Sequence, residues 1–407
     1  MKNIEKKYYS NNEDENFNDK RIAVLDGARV AALFFVVWYH FWQQTWISPN
    51  MTPDSVFSKI LGLDNASVDT LVKYGYDFVD ALILLSAVCN FFPYAKSIIY
   101  GTEWPSVGAF YKKRAMRIFP SYYFSLIVVI IVQISSGAYG DKAFLIKDIF
   151  RRVTMTSIFF EDTFNASLLN GVLWTVQVEF WFYILIPWIA LAFKKIPLII
   201  SAVMFLTSVV TVNYILNFVS NYDSSFYKDC PLSYCFLYVI GMYIVLGYTY
   251  FKKNCKENIY SKTLALIVLI ISIYSLLELF SLYNGDNLAY IQIKYRIIRG
   301  VLFGIITFSL MFSFKWIKIL FGNRIMYYLA AISYNMYIWH QIIAVWLKQW
   351  RIPYWEGETP PNILGDRVWM WKYNLLIITV SFVVAFLCTF FIEIPIRKWL
   401  KKKVRLQ

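Results

Sequence analysis

Apolar residues fall in blocks of about 20 along most of the 407-residue chain, and a helix that crosses a bilayer needs about that length. The pattern predicts an all-α fold, a polytopic transmembrane helix bundle with about ten spans and no soluble domain. The predicted spans are 24–46, 76–95, 119–137, 171–193, 196–219, 232–251, 263–283, 295–314, 326–347 and 374–396.

The composition supports a chain surrounded by lipid. Hydrophobic residues make up 58% and charged residues 16%, whereas a soluble domain averages about 45–50% and about 25%. The net charge of +14 does not indicate a nucleic-acid partner, because the basic residues cluster between the apolar blocks, as the positive-inside rule predicts. The five cysteines form no C-x-x-C pair, so we expect neither a disulfide framework nor a metal site.

Lysine and arginine also predict the orientation. If the N-terminus is inside, the inner segments hold roughly twice as many basic residues as the outer ones, which places both termini in the cytoplasm. Residues 1–21 are polar and charged, with no apolar run that resembles a signal peptide, and predict a disordered cytoplasmic tail. The expected organisation is this tail, a transmembrane domain at 22–398 and a basic cytoplasmic tail at 399–407.

Several ionisable residues lie inside the predicted spans, where each costs at least ~2.5–3.5 kcal/mol. Such a residue needs a buried partner or a function. The chain has two histidines, and both lie in spans. The ionisable residues in spans are Asp26, Arg29, His40, Asp77, Asp80, Glu179, Arg299, His340 and Glu393.

Arg29 and His40 are eleven residues apart, so they face the same side of one helix about 16 Å apart along its axis. His40, His340 and Glu179 all fall in the middle to outer half of the hydrocarbon core, and would share a polar cavity if their helices were neighbours. A structural role is the alternative for each. A histidine would then hydrogen-bond a facing helix, and Glu179 would pair with a buried arginine such as Arg299.

Three other acidic residues have structural explanations. Asp26 lies one turn from Arg29 on nearly the same face, and Glu393 lies four residues before Arg397, so each has a candidate ion-pair partner. Asp77 lies close to the outer interface, where we expect it to be solvated.

The segment FYKKRAMRIFP at 110–120 is compactly basic and lies just before a span. Arg114 and Arg117, three residues apart, lie on one helix face and suit a shared grip on a phosphate. The alternative is a topology anchor on anionic lipid.

Six segments then form an ordered set. They are RIAVLDGARVAALFFVVWYH with Arg29 and His40, VDALILLSAVCNFF with Asp80 and Ser86, FYKKRAMRIFPSYY with Arg114 and Arg117, WTVQVEFWFYILIP with Trp174 and Glu179, ISYNMYIWH with Tyr334 and His340, and FIEIPIRK with Glu393. In this order they resemble the acyltransferase-3 family of bacterial integral membrane O-acyltransferases. One departure is Ala87, which stands where the family's Ser-Gly-Phe has glycine.

The resemblance implies transfer of an acyl group, most commonly acetyl, from cytoplasmic acyl-CoA to a hydroxyl of a cell-envelope glycan or a related small molecule. It places the protein in a bacterial plasma membrane, with acyl-CoA as donor substrate, no metal, and an oligomer allowed. The implied catalytic residues are His40 as general base, with Glu179 or Asp80 orienting an imidazole. Arg29, Arg114 and Arg117 would bind CoA, and His340, Trp174, Ser86 and Tyr334 would line the substrate cavity.

A transporter or exporter of a glycan or glycolipid is the alternative function. Polar residues around a cavity within the membrane would serve it equally well. The chain shows no inverted halves, which counts against this alternative.

Overall fold

The computed structural model describes residues 21–47, 72–221, 224–281 and 288–405. These ranges are helical and contain no strand, which confirms the all-α bundle. The predicted tail at 1–21 lies almost entirely outside them. The helices are α1 Val24–Thr45, α2 Phe78–Tyr100, α3 Val107–Ser135, α4 Lys142–Val153, α5 Glu161–Ala166, α6 Leu173–Lys195, α7 Pro197–Phe218, α8 Ser225–Lys228, α9 Cys235–Asn254, α10 Ile259–Ser281, α11 Leu288–Lys294, α12 Arg296–Phe312, α13 Lys315–Gly322, α14 Arg324–Gln349, α15 Arg367–Leu387 and α16 Ile394–Arg405.

The described ranges contain eight helices that are long and apolar enough to cross a membrane, or nine if α12 and α13, bent by 110°, count as one span. The predicted span at 326–347 corresponds to α14, which is not among them. At ~1.5 Å per residue α14 reaches ~39 Å, enough to cross. Its polar residues lower its mean hydropathy, and the bundle buries them: Asn335 and His340 are both 0% exposed.

Helix α3 begins earlier than its hydropathy predicts. It starts at Val107, after the N-cap Ser106, whose side chain accepts a hydrogen bond from the Ala109 amide. The basic segment at 110–120 is therefore the first part of this helix. Arg114 and Arg117 are thus held on a regular helix, and a loop would leave their side chains less fixed.

Three central helices have well-defined directions. The antiparallel pair α1 and α2 brings Phe35 onto Phe78, with ring centroids 4.4 Å apart. Helices α1 and α14 run parallel, because Arg21 contacts Tyr327 near their beginnings and Lys348 donates to the Gln44 carbonyl near their ends. The motifs that contain His40 and His340 are distant in the sequence but therefore lie on neighbouring helices.

Helices α3 and α6 complete the central group. The Gln177 side chain of α6 donates to the Tyr122 hydroxyl of α3 over 3.0 Å, and Tyr183 of α6 lies 3.1 Å from Ser86 of α2 between their hydroxyl oxygens. These contacts place α6 between α2 and α3. Helices α1, α2, α3, α6 and α14 then surround a common interior.

Ala87, the residue in place of the family's glycine, lies opposite a glycine of α9. A Cβ added at Gly241 would lie 2.7 Å from the Ala87 Cβ and 3.1 Å from the Val88 amide nitrogen. The two helices approach closely here because the facing helix has a glycine at this contact.

We expect Gly241→Ala to destabilise the protein by about 1–3 kcal/mol, since an added methyl group overfills this contact. Ala87→Gly in the same chain should restore part of the loss by removing the shortest contact. Thermal unfolding of the single and double variants in detergent measures both effects. A Gly241→Ala protein as stable as wild type would contradict the close packing of α2 on α9.

The segment that joins α15 to α16 is hydrogen-bonded to α14. A π-helical turn at Cys388–Glu393 separates α15 from α16. The Asn335 amide of α14 donates to the Thr389 hydroxyl over 2.9 Å and to the Glu393 carboxylate over 3.0 Å. The expected Glu393–Arg397 ion pair is present at 3.6 Å. Helix α16 runs to Arg405, across the predicted boundary at 398.

Candidate functional site

The five central helices enclose a cavity with about 780 Å³ of empty space, part of it open to solvent. Polar and charged side chains line it together with apolar ones. Its lining residues are Arg29, Leu33, Val79, Leu82, Ile83, Ser86, Cys89, Asn90, Arg114, Arg117, Ile118, Thr175, Val176, Glu179, Tyr183, Ser333, Tyr334 and Tyr337. Six of the ten predicted site residues are among them: Arg29, Ser86, Arg114, Arg117, Glu179 and Tyr334.

The cavity carries positive charge. Three arginines line it against one glutamate, Glu179. Arg29 donates to the Cys89 sulfur over 3.6 Å, and the Arg114 guanidinium lies 5.4 Å from the Tyr183 ring centroid. Nε of Arg114 is buried without a hydrogen-bond partner among the described residues. A buried, unsatisfied donor in a positive cavity favours an anionic ligand.

A chain of hydrogen bonds crosses one wall of the cavity. The Asn90 amide donates to the Ser86 hydroxyl over 3.1 Å, and the Tyr183 hydroxyl donates to Glu179 Oε2 over 2.8 Å. Ser86 therefore donates to the Tyr183 oxygen, 3.1 Å away, since that hydroxyl's single proton is already used. All three bonds run in one direction and end at the Glu179 carboxylate.

The two histidines lie side by side, although they are 300 residues apart in the sequence. Their ring centroids are 5.0 Å apart, and His40 is 7% exposed. Nδ1 of His40 lies 3.2 Å from the side-chain amides of both Gln43 and Gln341. The partners of this imidazole nitrogen are therefore amides, where a carboxylate had been expected.

His340 is fixed by its own helix. Its Nδ1 lies 2.7 Å from the Tyr337 carbonyl and 3.1 Å from the Met336 carbonyl. A carbonyl only accepts, so Nδ1 carries the proton and Nε2 carries the lone pair. That Nε2 is buried without a hydrogen-bond partner in the part of the chain that the structure describes.

Tyr337 connects the cavity with the histidine pair. Neither imidazole is among the lining residues, but Tyr337 is. The Tyr337 ring centroid lies 5.6 Å from that of His340. Tyr337 therefore borders the positive cavity and also contacts one of the two imidazoles.

Asp80 lies in a separate buried cluster. It accepts hydrogen bonds from Nε and Nη2 of Arg299 at 3.0 and 2.6 Å. Arg299 also pairs with Asp77 at 3.1 Å. Asp77 is 1% exposed, so the expectation that it is solvated was wrong: α12 covers it. The structure thus places Asp80 and Arg299 together, away from both an imidazole and Glu179.

Trp174 and Asp26 also have partners outside the cavity. The Trp174 ring stacks on Tyr234 with centroids 6.1 Å apart, and Trp174 is not among the cavity-lining residues. Asp26 forms an ion pair with Arg21. Its position on α1 near Arg29 was predicted, and the pairing with Arg21 was not.

The sequence motifs do not single out five of the residues that build this site. Gln43 and Gln341 are amides inside apolar spans, one turn from His40 and next to His340, and their polarity there was a usable signal. Cys89 and Asn90 lie in the same motif as Asp80 and Ser86. The sequence predicted roles for Asp80 and Ser86 and none for these two residues. Tyr337 looks like an ordinary interfacial aromatic residue until α14 is placed beside α6.

A known protein family matches most of this chain. A family model described as "Acyltransferase domain" matches residues 22–394, nearly the whole chain. The chain belongs to the acyltransferase-3 family. The match runs through both halves of the site, from α1 with Arg29 and His40 to α14 with Tyr337 and His340.

A virus protein is a distant relative of this family member. The chain is 24% identical over 239 residues to a protein of the Acidianus two-tailed virus whose name describes it as an acetyltransferase. The match covers 58% of this chain and 64% of the viral protein, so the chain spans less than two thirds of that relative. No solved structure matches the chain.

Proposed function

We propose that the protein is a membrane O-acyltransferase that moves an acetyl group from cytoplasmic acetyl-CoA to a hydroxyl of a cell-envelope glycan or related sugar. In this proposal the membrane is a bacterial plasma membrane, and both termini are cytoplasmic. One observation carries the proposal: a cavity lined by three arginines lies among the central helices, and its lining residue Tyr337 contacts His340, whose ring lies beside that of His40.

The arginines suit the donor. A guanidinium presents a planar fork of N–H groups that matches a phosphate, and it stays charged at any relevant pH. In this proposal Arg114 and Arg117 hold the CoA phosphates at the cytoplasmic mouth, and Arg29 lies further in. Arg29 and His40 are about 16 Å apart along α1, a span that suits an extended pantetheine arm.

His40 is the general base of the proposed reaction. Nδ1 is engaged by the two amides, so Nε2 takes the proton of the acceptor hydroxyl as its oxygen attacks the thioester carbonyl. The tetrahedral intermediate then collapses: the carbon–sulfur bond breaks, and CoA leaves as a thiol after the imidazolium returns the proton. The new bond is the acetyl ester of the acceptor.

In this proposal the Gln43 amide sets the tautomer. Gln43 presents its Oε1 to Nδ1 and Gln341 presents its Nε2, each at 3.2 Å, and of these two atoms only the oxygen accepts a hydrogen bond from a protonated Nδ1. With an amide oxygen toward it, Nδ1 holds the proton and Nε2 is the base. An amide adds no charge, so the imidazole gives up its proton again more readily than it would beside a carboxylate.

Binding of acetyl-CoA tests the donor half of the proposal. Arg114→Gln should weaken acetyl-CoA binding by about 10–100-fold, the loss expected for one charge-assisted hydrogen bond of ~1.5–3 kcal/mol. Lys112→Gln is the matched control, because this exposed residue of the same helix loses the same charge outside the cavity. Titration calorimetry on purified protein measures both affinities.

The outcomes separate enzyme from transporter. An enzyme of this kind binds acetyl-CoA and loses affinity in Arg114→Gln but not in Lys112→Gln. Suppose instead that wild-type protein neither binds acetyl-CoA nor is stabilised by it, but is stabilised by an envelope sugar. That result would contradict the proposal and favour the transporter.

A further inference from the structure

We propose that a second cavity, between the ends of α9 and α12 and the first turns of α10, binds one anionic phospholipid. This site is separate from the acetyl-CoA cavity, and its test does not require the proposed function to be correct. It lies near the same end of the bundle as Arg29, because Lys253 of α9 donates to the Ile99 carbonyl at the end of α2.

The cavity suits an acyl chain. It contains about 810 Å³ of empty space, part of it open. Most of its wall is apolar and comes from three transmembrane helices. The apolar lining residues are Phe251, Leu264, Ala265, Val268, Phe308 and Phe312. In a bilayer a cleft of this kind between spans is filled by a lipid tail.

Its mouth carries a lysine cluster organised around one carboxylate. The Glu257 carboxylate forms ion pairs with Lys252 at 2.8 Å, with Lys318 at 3.3 Å and with Lys262 at 3.8 Å. Lys256 also lines the cavity and is exposed. Three lysines thus pair with one carboxylate, and a fourth, Lys256, lines the same cavity.

Glu257 keeps the lysines in place over the ordinary pH range. Burial alone would raise the pKa of its carboxyl, but the Lys252 hydrogen bond and the Lys318 charge lower that pKa overall. The carboxylate therefore stays ionised above its ordinary pKa of about 4.3. Its charge holds the ammonium groups of three lysines together at one edge of the apolar cavity.

The combination identifies the ligand class. Apolar walls alone accept any lipid tail, and surface lysines alone attract any anion. Here the lysines lie where an apolar cleft between spans meets the interface. Basic pockets between transmembrane helices are typical binding sites of anionic headgroups. A phosphatidylglycerol-type lipid, with its tail in the cleft and its phosphate among the lysines, satisfies both parts.

The test measures lipid retention by the whole purified protein. Native mass spectrometry after exchange into phosphatidylcholine with added phosphatidylglycerol should show one retained phosphatidylglycerol per chain. Lys252→Gln combined with Lys256→Gln should weaken retention by about 30-fold, from roughly 1 kcal/mol per basic residue. Ala265→Trp, which fills the cleft without changing charge, should also abolish it.

Lys398→Gln with Lys401→Gln is the matched control, because both lysines are exposed on α16 and the same two charges are lost. If this control variant retains as much phosphatidylglycerol as the wild-type protein, the result supports the proposed site. Equal retention of phosphatidylcholine and phosphatidylglycerol, an equal loss in the control, or full retention in Ala265→Trp would each overturn it. Displacement of the lipid by millimolar inorganic phosphate would also overturn it, since an anion site without a tail pocket would explain that result.

Discussion

His40→Ala and His40→Gln should each lower acetyl transfer by about 100- to 10,000-fold, the usual contribution of a positioned general base. Neither replacement accepts a proton near neutral pH, so the acceptor hydroxyl must attack without losing its proton. The measurement is transfer of labelled acetyl from acetyl-CoA to endogenous glycan in membranes that contain equal amounts of each variant.

The same variants should keep acetyl-CoA binding within about threefold, because Arg29, one of the arginines proposed to hold the donor, lies about 16 Å away along α1. Retained binding with lost transfer assigns His40 to the chemistry. Wild-type transfer by both variants, in folded protein, would remove His40 from the reaction.

Gln341→Glu then tests how His40 is positioned. A carboxylate beside Nδ1 stabilises the imidazolium, so the acidic limb of the rate–pH profile should move to higher pH. A purely structural role for Gln341 would lower the rate at all pH values and leave the midpoint of that limb unchanged.

Arg299→Met should destabilise the protein by about 3–5 kcal/mol, because it removes the closest cation from two buried carboxylates and leaves Asp80 with Arg296 alone, 4.0 Å away. Asp80 and Asp77 both lose their ion pair with Arg299, and each is at most 2% exposed. Asp80→Asn should cost less, since Asp77 still pairs with the arginine. Thermal or denaturant unfolding in mixed micelles gives the values.

The double variant shows whether the two residues act together. Arg299→Met with Asp80→Asn should lose less than the sum of the single losses, because the second change removes a charge whose closest partner the first has already removed. Arg367→Met is the control for losing an arginine, since Arg367 is exposed at the start of α15. If the Asp80→Asn variant instead has wild-type stability but no acetyl transfer, Asp80 belongs among the catalytic residues.

Much of the fold followed from the sequence because the lipid environment restricts the options. A spanning segment must satisfy its own backbone, so long apolar blocks become helices. The prediction was weakest where polar residues interrupt the blocks. The sequence of α14 predicts its length but not its central place, because burial of Asn335 and His340 depends on neighbours that hydropathy does not identify.

The site was predictable in its residue types more than in its pairings. Charge inside a span singled out Arg29, His40, Asp80 and His340, since each carries a cost that must be offset. Hydropathy does not say which helix faces which, so Arg299 was weighed as a partner of Glu179 and lies instead with Asp80. The amides of Gln43 and Gln341 were overlooked because a neutral side chain is less costly to bury.

Tyr337 has a consequence for the timing of the reaction. Asn335, two residues away, is tied to Thr389 and Glu393, so rotation of α14 about its axis would break several bonds at once. A rotamer change of the Tyr337 side chain breaks far fewer bonds and is the smaller rearrangement, whereas collective helix shifts take microseconds to milliseconds. We therefore expect donor and acceptor to meet by displacement of a single ring within a stationary scaffold, without the rocking of two halves that alternating-access carriers require.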